Sequence, residues 1–344
     1  MFDLKTLVRP NILGLKPYSS ARDEFKGNEG VFLDANENPF GTLNRYPNSD
    51  QKLLKEKLSQ YNGIASKNIF IGNGSDEIID LIYRIFCTPG KDKALTFTPT
   101  FGMYQVAADI NAIELITLPL NDEFQINTDN LKPYFKDETL KLIFICSPNN
   151  PTGNCFNESD IEFILQNFNG MVIIDEAYAD FSDKLSWSQS IETYPNLIVT
   201  QTFSKAWALA AARIGIAYAS QEVIKLLNKV KMPYNISKLN ETAAIEAIEN
   251  RTTFEANKQI ILEEKEKLIQ ALQKMDIIKK IYPSDANFLL VEVDDADHIY
   301  LNLVEQKVIT RNRNSLVKNS IRITVGKPEE NEKLIKSLLS ISKS

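Results

Sequence analysis

The sequence predicts an α/β protein with a large, doubly wound domain and a smaller α/β domain. Strand-like and helix-like segments alternate between about residues 44 and 232, as in an open sheet covered by helices. One segment, LKLIFICSP, is a continuous apolar run, typical of a strand buried on both faces of a parallel sheet. After residue 232 the chain becomes long, charged and helical. We therefore divide its 344 residues into an N-terminal arm with a small-domain segment (1–43), a large domain (44–232), and a connecting helix with a small C-terminal domain (233–344).

The elements of the large domain can be assigned in chain order. The amphipathic segment DQKLLKEKLSQYNG predicts a helix that ends at Gly63. Later helices are predicted for NGSDEIIDLIYRIFC, FGMYQVAADIN and NESDIEFILQNF, the last capped by Asn157. Strands are predicted for NIFIG, KALTF, AIELITL, LKLIFICSP, MVIIDEAY, NLIVTQTFS and RIGIAYAS.

The C-terminal part is predicted from fewer signals. The segment KLNETAAIEAIENRTTFEANKQIILEEKEKLIQALQKM indicates one long connecting helix. Three short strands follow, NFLLVEV, VITR and SIRITVG, and a last helix begins at Pro328. The single histidine, His298, is predicted to be a solvated residue near a turn.

Composition excludes several classes of function. The chain is 43% hydrophobic and 24% charged, with a net charge of −6, which is typical of a soluble protein and argues against nucleic-acid partners. No apolar run reaches the roughly 20 residues of a membrane span, and no signal peptide is recognisable. The three cysteines form no CxxC pair, which favours a reduced cytoplasm. One histidine excludes an HExxH metal site, and no GxSxG elbow is present.

Polar residues stand where predicted strands end, which is where an open parallel sheet binds ligands. In FIGNGSDE, the backbone amides of Gly74, Ser75 and Asp76 would open a helix and suit a phosphate, although a tight turn explains this motif equally well. In FICSPNNPTG, Asn150 would point into the same crevice. In MVIIDEAY, Asp175 follows four apolar residues, and Tyr178 stands three residues further on.

The segment TQTFSKAWALAAARIG places one lysine, Lys205, among small apolar residues, with Ser204 before it and Arg213 after it. Desolvation there would lower the pKa of the amine. A lysine for a Schiff base, an acid for a pyridinium nitrogen and donors for a phosphate are what pyridoxal 5′-phosphate requires. We therefore predict a site for this cofactor.

The chain resembles the histidinol-phosphate branch of the fold-type I, pyridoxal-phosphate-dependent aminotransferases over nearly its whole length. The superfamily motifs are NPTG, DEAY and SKA, and the branch is indicated by LDANENPFG, NRYPN, GNGSDE and IRITVG. The resemblance implies a large domain with a mainly parallel sheet between helices, a homodimer with shared active sites, and transamination between glutamate and imidazole acetol phosphate in histidine biosynthesis.

The resemblance also implies roles for individual residues. Lys205 forms the Schiff base and shuttles the proton, and Asp175 pairs with the pyridine nitrogen. Asn150 and Tyr178 bind the phenolic oxygen, and Tyr104 stacks on the cofactor ring. The cofactor phosphate is bound by Ser75, Asp76, Ser204, Arg213 and, from the partner subunit, Tyr46. The substrate is bound by Arg322, with Arg311, Tyr18 and Asn36 as helpers.

Two alanines, Ala208 and Ala211, stand where the family commonly has glycines. Because alanine does not easily adopt positive φ, we expect a regular helix after Lys205. Two neighbouring activities remain open, an aromatic aminotransferase and a threonine-phosphate decarboxylase, since they share the cofactor residues. A non-catalytic nucleotide-binding protein would explain GNGSDE but not Lys205, Asp175 and Asn150 together.

Overall fold

The computed structural model describes residues 2–18, 25 and 30–342, and within these ranges it contains two β-sheets. The strands are β1 Ile69–Asn73, β2 Lys93–Thr98, β3 Glu114–Pro119, β4 Leu140–Cys146, β5 Met171–Asp175, β6 Leu197–Thr202, β7 Ile214–Ala219, β8 Ile278–Ile281, β9 Phe288–Val293, β10 Arg311–Asn312 and β11 Ser320–Thr324. The α-helices are Leu4–Leu7, Pro10–Leu13, Lys52–Asn62, Gly74–Phe86, Met103–Ile110, Thr128–Leu131, Glu158–Asn167, Gln221–Val230, Lys238–Glu249, Arg251–Leu272, Ala296–Glu305 and Pro328–Ile341.

The seven-stranded sheet has the order β1-β7-β6-β5-β4-β2-β3. Strand β7 runs antiparallel to both of its neighbours, and all other pairs in this sheet are parallel. The register sets Cys146 beside Asp175 and Asp175 beside Thr200. The carboxyl ends of β4, β5 and β6 therefore lie level with one another, which brings the polar residues that follow them together.

Helices cover both faces of this sheet, as the continuous apolar strands require. In β5, Val172 and Ile174 belong to the core on one face, and Met171 and Ile173 belong to the core on the other. All five residues of this strand are buried. The predicted α/β fold with a mainly parallel large sheet is confirmed.

The small sheet is antiparallel, with the order β10-β11-β9-β8. Its own core contains Leu289 and Val291 of β9 and Ile321 and Ile323 of β11, packed against the flanking helices. Strand β8 was not predicted, because its residues Lys279 and Lys280 interrupt the apolar pattern and are exposed. Of the strand predicted at VITR, only the last residue, Arg311, lies in β10.

The predicted connecting helix is not continuous. It is interrupted at Asn250, between helices Lys238–Glu249 and Arg251–Leu272. The first of these packs on the large-domain core through Ala244, Ile245 and Ile248, so this part of the predicted C-terminal region lies against the large domain.

His298 was predicted near a turn and lies in the first turn of helix Ala296–Glu305. The Asp295 side chain accepts a hydrogen bond from its backbone N–H, which caps this helix. Within the described ranges, none of the helices combines the length and the apolar character needed to cross a membrane.

Candidate active site

A cavity of about 160 Å³ lies at the carboxyl ends of the central strands of the large sheet. It is enclosed by the ends of β4, β5 and β6, by the start of helix Gly74–Phe86 and by the loop that joins β6 to β7. Its lining residues are Ser75, Asp76, Phe101, Cys146, Asp175, Ala177, Tyr178, Thr202, Ser204, Lys205, Ala210 and Arg213. Seven of the residues predicted from the motifs therefore surround one space.

The loop that carries Lys205 is a tight connection and not a regular helix. Because β6 and β7 are antiparallel neighbours, Phe203 N–H already donates to Ile214 O, at 3.0 Å, and residues 204–213 must turn back within that closure. Ala208 adopts φ +57°, and only a short 3-10 turn at Ala210–Ala212 is helical. The expectation of a regular helix was wrong, because this closure overrides the intrinsic preference of alanine.

Lys205 lines the cavity, and its side chain is exposed there. Its Nζ lies 5.6 Å from the centroid of the Tyr178 ring. Desolvation lowers the pKa of the Lys205 amine, the charge of Arg322 adds to this effect, and Asp175 opposes it. The amine is therefore easier to deprotonate than that of a surface lysine.

Asp175 is a buried carboxyl group at the floor of the cavity, with 2% of its surface exposed. It accepts hydrogen bonds from the Tyr104 hydroxyl at 2.9 Å and from the Ala177 backbone N–H at 3.2 Å. Burial raises the pKa of Asp175, and the hydrogen bond from Tyr104 counteracts that rise. A cation or a protonated ring nitrogen in the cavity would stabilise the ionised form.

Tyr104 does not line the cavity, which corrects its predicted position against the cofactor ring. Its own ring is buried and stacks on Phe144, with centroids 4.9 Å apart, and its hydroxyl supports Asp175 from behind. Phe101, three residues earlier in PTFGMY, lines the cavity instead. Both aromatic residues were visible in the motif, but only the start of helix Met103–Ile110 decides which of them faces inward.

A chain of hydrogen bonds joins the two domains beside the cavity. Asn150 Nδ2 donates to the Tyr178 hydroxyl at 3.1 Å, and Asn150 Oδ1 accepts from Arg322 Nη1. Arg322 belongs to β11 of the small sheet, and its Cζ lies 5.3 Å from the centroid of the Phe288 ring. Burial lowers the pKa of Arg322 and raises that of Tyr178.

The start of helix Gly74–Phe86 forms one corner of the cavity together with Arg213. Arg213 Nη2 lies 3.1 Å from Asp76 Oδ2, and its Nη1 donates to Ser204 Oγ at 3.4 Å. Gly74 has φ +74°, and a Cβ there would lie 2.6 Å from Arg213 Nη2. Unpaired amides of the first helical turn and a guanidinium together make an anion site.

Two arginines of the small sheet face each other across β10 and β11. Arg311 is the register partner of Arg322, and directly opposed like charges destabilise a strand pair. Arg322 Nε is buried without a hydrogen-bond partner. Among the described residues, the arginines that form ion pairs are Arg45, Arg84, Arg213 and Arg251, so neither arginine of this pair is neutralised by a carboxylate.

Three predicted residues lie away from this cavity within one chain. Tyr46 and Asn36 line a separate cleft of about 760 Å³, in which the Tyr46 ring stacks on Tyr234 with centroids 4.5 Å apart. Tyr18 is 70% exposed. Lys205 and Tyr46 therefore belong to different cavities of the same chain.

Comparison with known proteins identifies the class. The family model described as "Aminotransferase class I and II" matches residues 24–338, so the chain belongs to that family. Two relatives that match the chain over nearly its full length are named histidinol-phosphate aminotransferase. The one from Christiangramia forsetii is 51% identical over 98% of this chain and 97% of its own length. The one from Flavobacterium psychrophilum is 49% identical over 99% of both.

Solved structures show the same fold at lower identity. A histidinol-phosphate aminotransferase from Clostridium acetobutylicum has a TM-score of 0.80 and 22% identity, over 88% of this chain and 91% of its own. The histidinol-phosphate aminotransferase from Sinorhizobium meliloti, in complex with pyridoxal-5′-phosphate, has a TM-score of 0.78 and 21% identity. The match covers 87% of this chain and 83% of that chain. These likenesses extend over both domains described above.

Proposed function

We propose that the chain transfers an amino group between glutamate and imidazole acetol phosphate, giving 2-oxoglutarate and L-histidinol phosphate in histidine biosynthesis, with pyridoxal 5′-phosphate as cofactor. The observation that carries the proposal is that Lys205 and Asp175 line one cavity, and that Asn150 links the Tyr178 hydroxyl in its wall to Arg322 beside it. The names of the relatives that are about half identical over their full length support the same reaction.

The residues around the cavity fit this cofactor. The corner formed by Ser75, Asp76, Ser204 and Arg213 would hold its phosphate, and only a glycine at position 74 leaves room for the Arg213 guanidinium. Asp175 would hold the proton of the pyridine nitrogen, and Asn150 and Tyr178 would donate to the phenolic oxygen. Phe101 would cover the ring in place of Tyr104. When bound, the cofactor supplies an electron sink for the carbanion left when a Cα proton is removed.

The chain's own contribution to chemistry centres on Lys205 Nζ. A general base works best when its pKa lies near the operating pH, and desolvation moves the pKa of this amine downward in that direction. Lys205 would remove the Cα proton of the amino donor and return a proton in the reverse half. The hydrogen bond from the Tyr104 hydroxyl would hold Asp175 in place and favour its ionised form.

The amino donors share an anionic group, and the small domain supplies the cations. Glutamate carries carboxylates and histidinol phosphate carries a phosphate. Arg322, held by Asn150, and Arg311 opposite it would bind these groups, because a guanidinium fork matches both geometries. The bound anion would also remove the repulsion between the two arginines.

A screen of amino donors tests the proposed reaction. Each donor is mixed with the cofactor-loaded protein, and conversion of the cofactor is followed by its absorbance. We expect fast conversion with histidinol phosphate and glutamate and slow conversion with phenylalanine and threonine phosphate. Faster conversion with phenylalanine, or carbon dioxide release from threonine phosphate, would overturn the assignment.

We also propose that the protein is a cytoplasmic homodimer in which Tyr46 reaches the cofactor phosphate of the partner's site. Tyr46 lies outside the cavity of its own chain, and large apolar side chains near it are exposed: Val31 88%, Leu33 88%, Phe40 82% and Leu43 62%. Such a patch is typical of an interface. The three cysteines of the chain, Cys87, Cys146 and Cys155, form no disulfide. Free thiols support the cytoplasm as the compartment of the protein.

A mixing experiment tests the shared site. Equal amounts of Tyr46→Ala and Lys205→Ala chains, each nearly inactive alone, are unfolded, combined and refolded. Random pairing makes half of the dimers mixed, each with one intact site, so activity should recover to about a quarter of wild type. No recovery above the Tyr46→Ala parent would mean that Tyr46 acts within its own chain or not at all.

A further inference from the structure

A third arginine extends the arginine pair of the small sheet. The ladder between β10 and β11 continues past Asn312, because Arg313 N–H donates to Ser320 O at 2.9 Å. Side chains alternate between the faces of a strand, so Arg313 shares a face with Arg311 and with its partner Arg322. Asn312 points to the other face, where its Nδ2 donates to Asp297 Oδ1 at 2.6 Å.

The charge of Arg313 is not neutralised within the described part of the chain. Its Nε is buried and has no hydrogen-bond partner, as is true of Arg322 Nε. The nearby carboxylate of Asp297 is occupied by the amides of Asn312 and Asn314 on the outer face. Burial and the charges of Arg322 and Arg311 lower the pKa of Arg313 to about 10, so it stays a cation at neutral pH.

Three guanidiniums on one face of the sheet destabilise the folded protein unless an anion binds between them. Like charges repel most where water is partly excluded, and a buried donor without a partner loses its hydration energy. The face also looks toward the active site, since Arg322 donates to Asn150 and Tyr178 is among the groups that act on the Arg313 charge. The arrangement therefore suits a ligand with more charge than one carboxylate.

We propose that Arg313 is a specificity-determining residue that binds the phosphate of the phosphorylated amino donor as a third guanidinium and contributes little to glutamate. The proposal rests on the proposed function. A phosphate monoester carries about −1.5 to −2 charges and three acceptor oxygens at neutral pH. One carboxylate has a single charge and two oxygens. It therefore has less charge and fewer oxygens to share among three guanidiniums than the phosphate has.

The test compares Arg313→Gln, Arg313→Lys and a control, Lys318→Gln, which removes an exposed charge from the same loop. For Arg313→Gln we expect the KM for histidinol phosphate to rise about tenfold or more, as for loss of a charge-assisted hydrogen bond. The KM for glutamate should change less than about threefold. Arg313→Lys should recover part of the loss, and Lys318→Gln should behave as wild type. Equal changes for both donors, or no change, would overturn the proposal.

Binding of inorganic phosphate to the cofactor-loaded protein, measured by calorimetry, separates this inference from the proposed function. If the wild type does not use histidinol phosphate, the proposed function fails. The Kd for inorganic phosphate, compared between wild type and Arg313→Gln, still tests the role of Arg313. A Kd at least about tenfold weaker in Arg313→Gln supports the third guanidinium. An unchanged Kd contradicts it. If Arg313→Gln does not fold, the same comparison is made with Arg313→Lys, which keeps the charge but loses the fork.

Discussion

The two sides of the cavity differ in how far their polar groups are satisfied before any ligand arrives. On the large-domain side, Asp175 is held by Tyr104, and Arg213 is held by Asp76 and Ser204. On the small-domain side, Arg322 and Arg313 each keep a buried Nε without a partner. A preorganised network suits a group that stays bound, and unsatisfied cations suit an anion that exchanges in each turnover.

The largest effect is expected for Lys205→Ala. Loss of the amine removes both the covalent link to the cofactor and the base, so turnover should fall at least about 10⁴-fold. Inorganic phosphate should still bind the small-domain arginines with a Kd near that of wild type. Reduction with borohydride and peptide mapping should label Lys205 in the wild type, and Lys184→Ala serves as a surface control. Labelling of another lysine would contradict the assignment.

The sequence predicted the core of this site because its residues end strands that are buried on both faces. That pattern places Asp175 and Lys205 near strand ends, and their predicted roles came from combining these motifs with a phosphate-binding helix start and from the family resemblance. The sequence could not show that Phe101, and not Tyr104, lines the cavity. Both residues are aromatic, and only the start of the helix decides which one faces inward. Ala208 adopts a positive φ, which alanine normally avoids, because the closure of β6 on β7 imposes it. Arg313 lies in a charged loop, and only the sheet register places it beside Arg311 and Arg322.

Asp175→Asn separates chemistry from substrate binding. An asparagine cannot stabilise a protonated ring nitrogen, so kcat should fall about a hundredfold or more. KM for both donors should stay within about threefold of wild type, because the arginines are untouched. Tyr104→Phe removes only the supporting hydrogen bond and should lower kcat about tenfold. Stopped-flow measurement of each half-reaction gives these values, and near-wild-type rates in Asp175→Asn would contradict the role of this carboxylate.

Gly74→Ala tests the phosphate corner of the large domain. The substitution combines a positive φ with a Cβ at 2.6 Å from Arg213 Nη2, and should lower the free energy of unfolding by about 2–4 kcal/mol. It should also weaken cofactor retention, because Arg213 must move. Gly63→Ala is the matched control: it has φ +78° but open space around the new Cβ, so it should cost about 1–2 kcal/mol. Urea unfolding and cofactor titration measure both; equal cofactor affinity in the two variants would refute the steric argument.

The smallest effect concerns Glu176, which is buried beside the site residues of the large domain. It accepts hydrogen bonds from Ser186, Trp187 and Gln201, yet burial raises its pKa to about 7. The folded state then holds a proton that the unfolded state has released, so stability should fall as pH rises from about 4.5 to 7. The change is at most about 3 kcal/mol, at 1.36 kcal/mol per pKa unit.

Glu176→Gln should flatten that part of the stability profile. Chemical denaturation at several pH values, with Glu192→Gln as an exposed control, measures the slope. An unchanged slope in Glu176→Gln would assign the pH dependence to other groups.

The division of labour between the two sides is tested most directly by comparing Arg213→Ala with Arg322→Ala in the same two titrations. For Arg213→Ala we expect cofactor affinity to fall about tenfold or more, with KM values for glutamate and histidinol phosphate changed less than about threefold once cofactor is saturating. For Arg322→Ala we expect the reverse, with cofactor affinity within about threefold of wild type and both KM values raised about tenfold or more. If both variants lose cofactor and substrate affinity to the same extent, the two sides act as one site and the account is wrong.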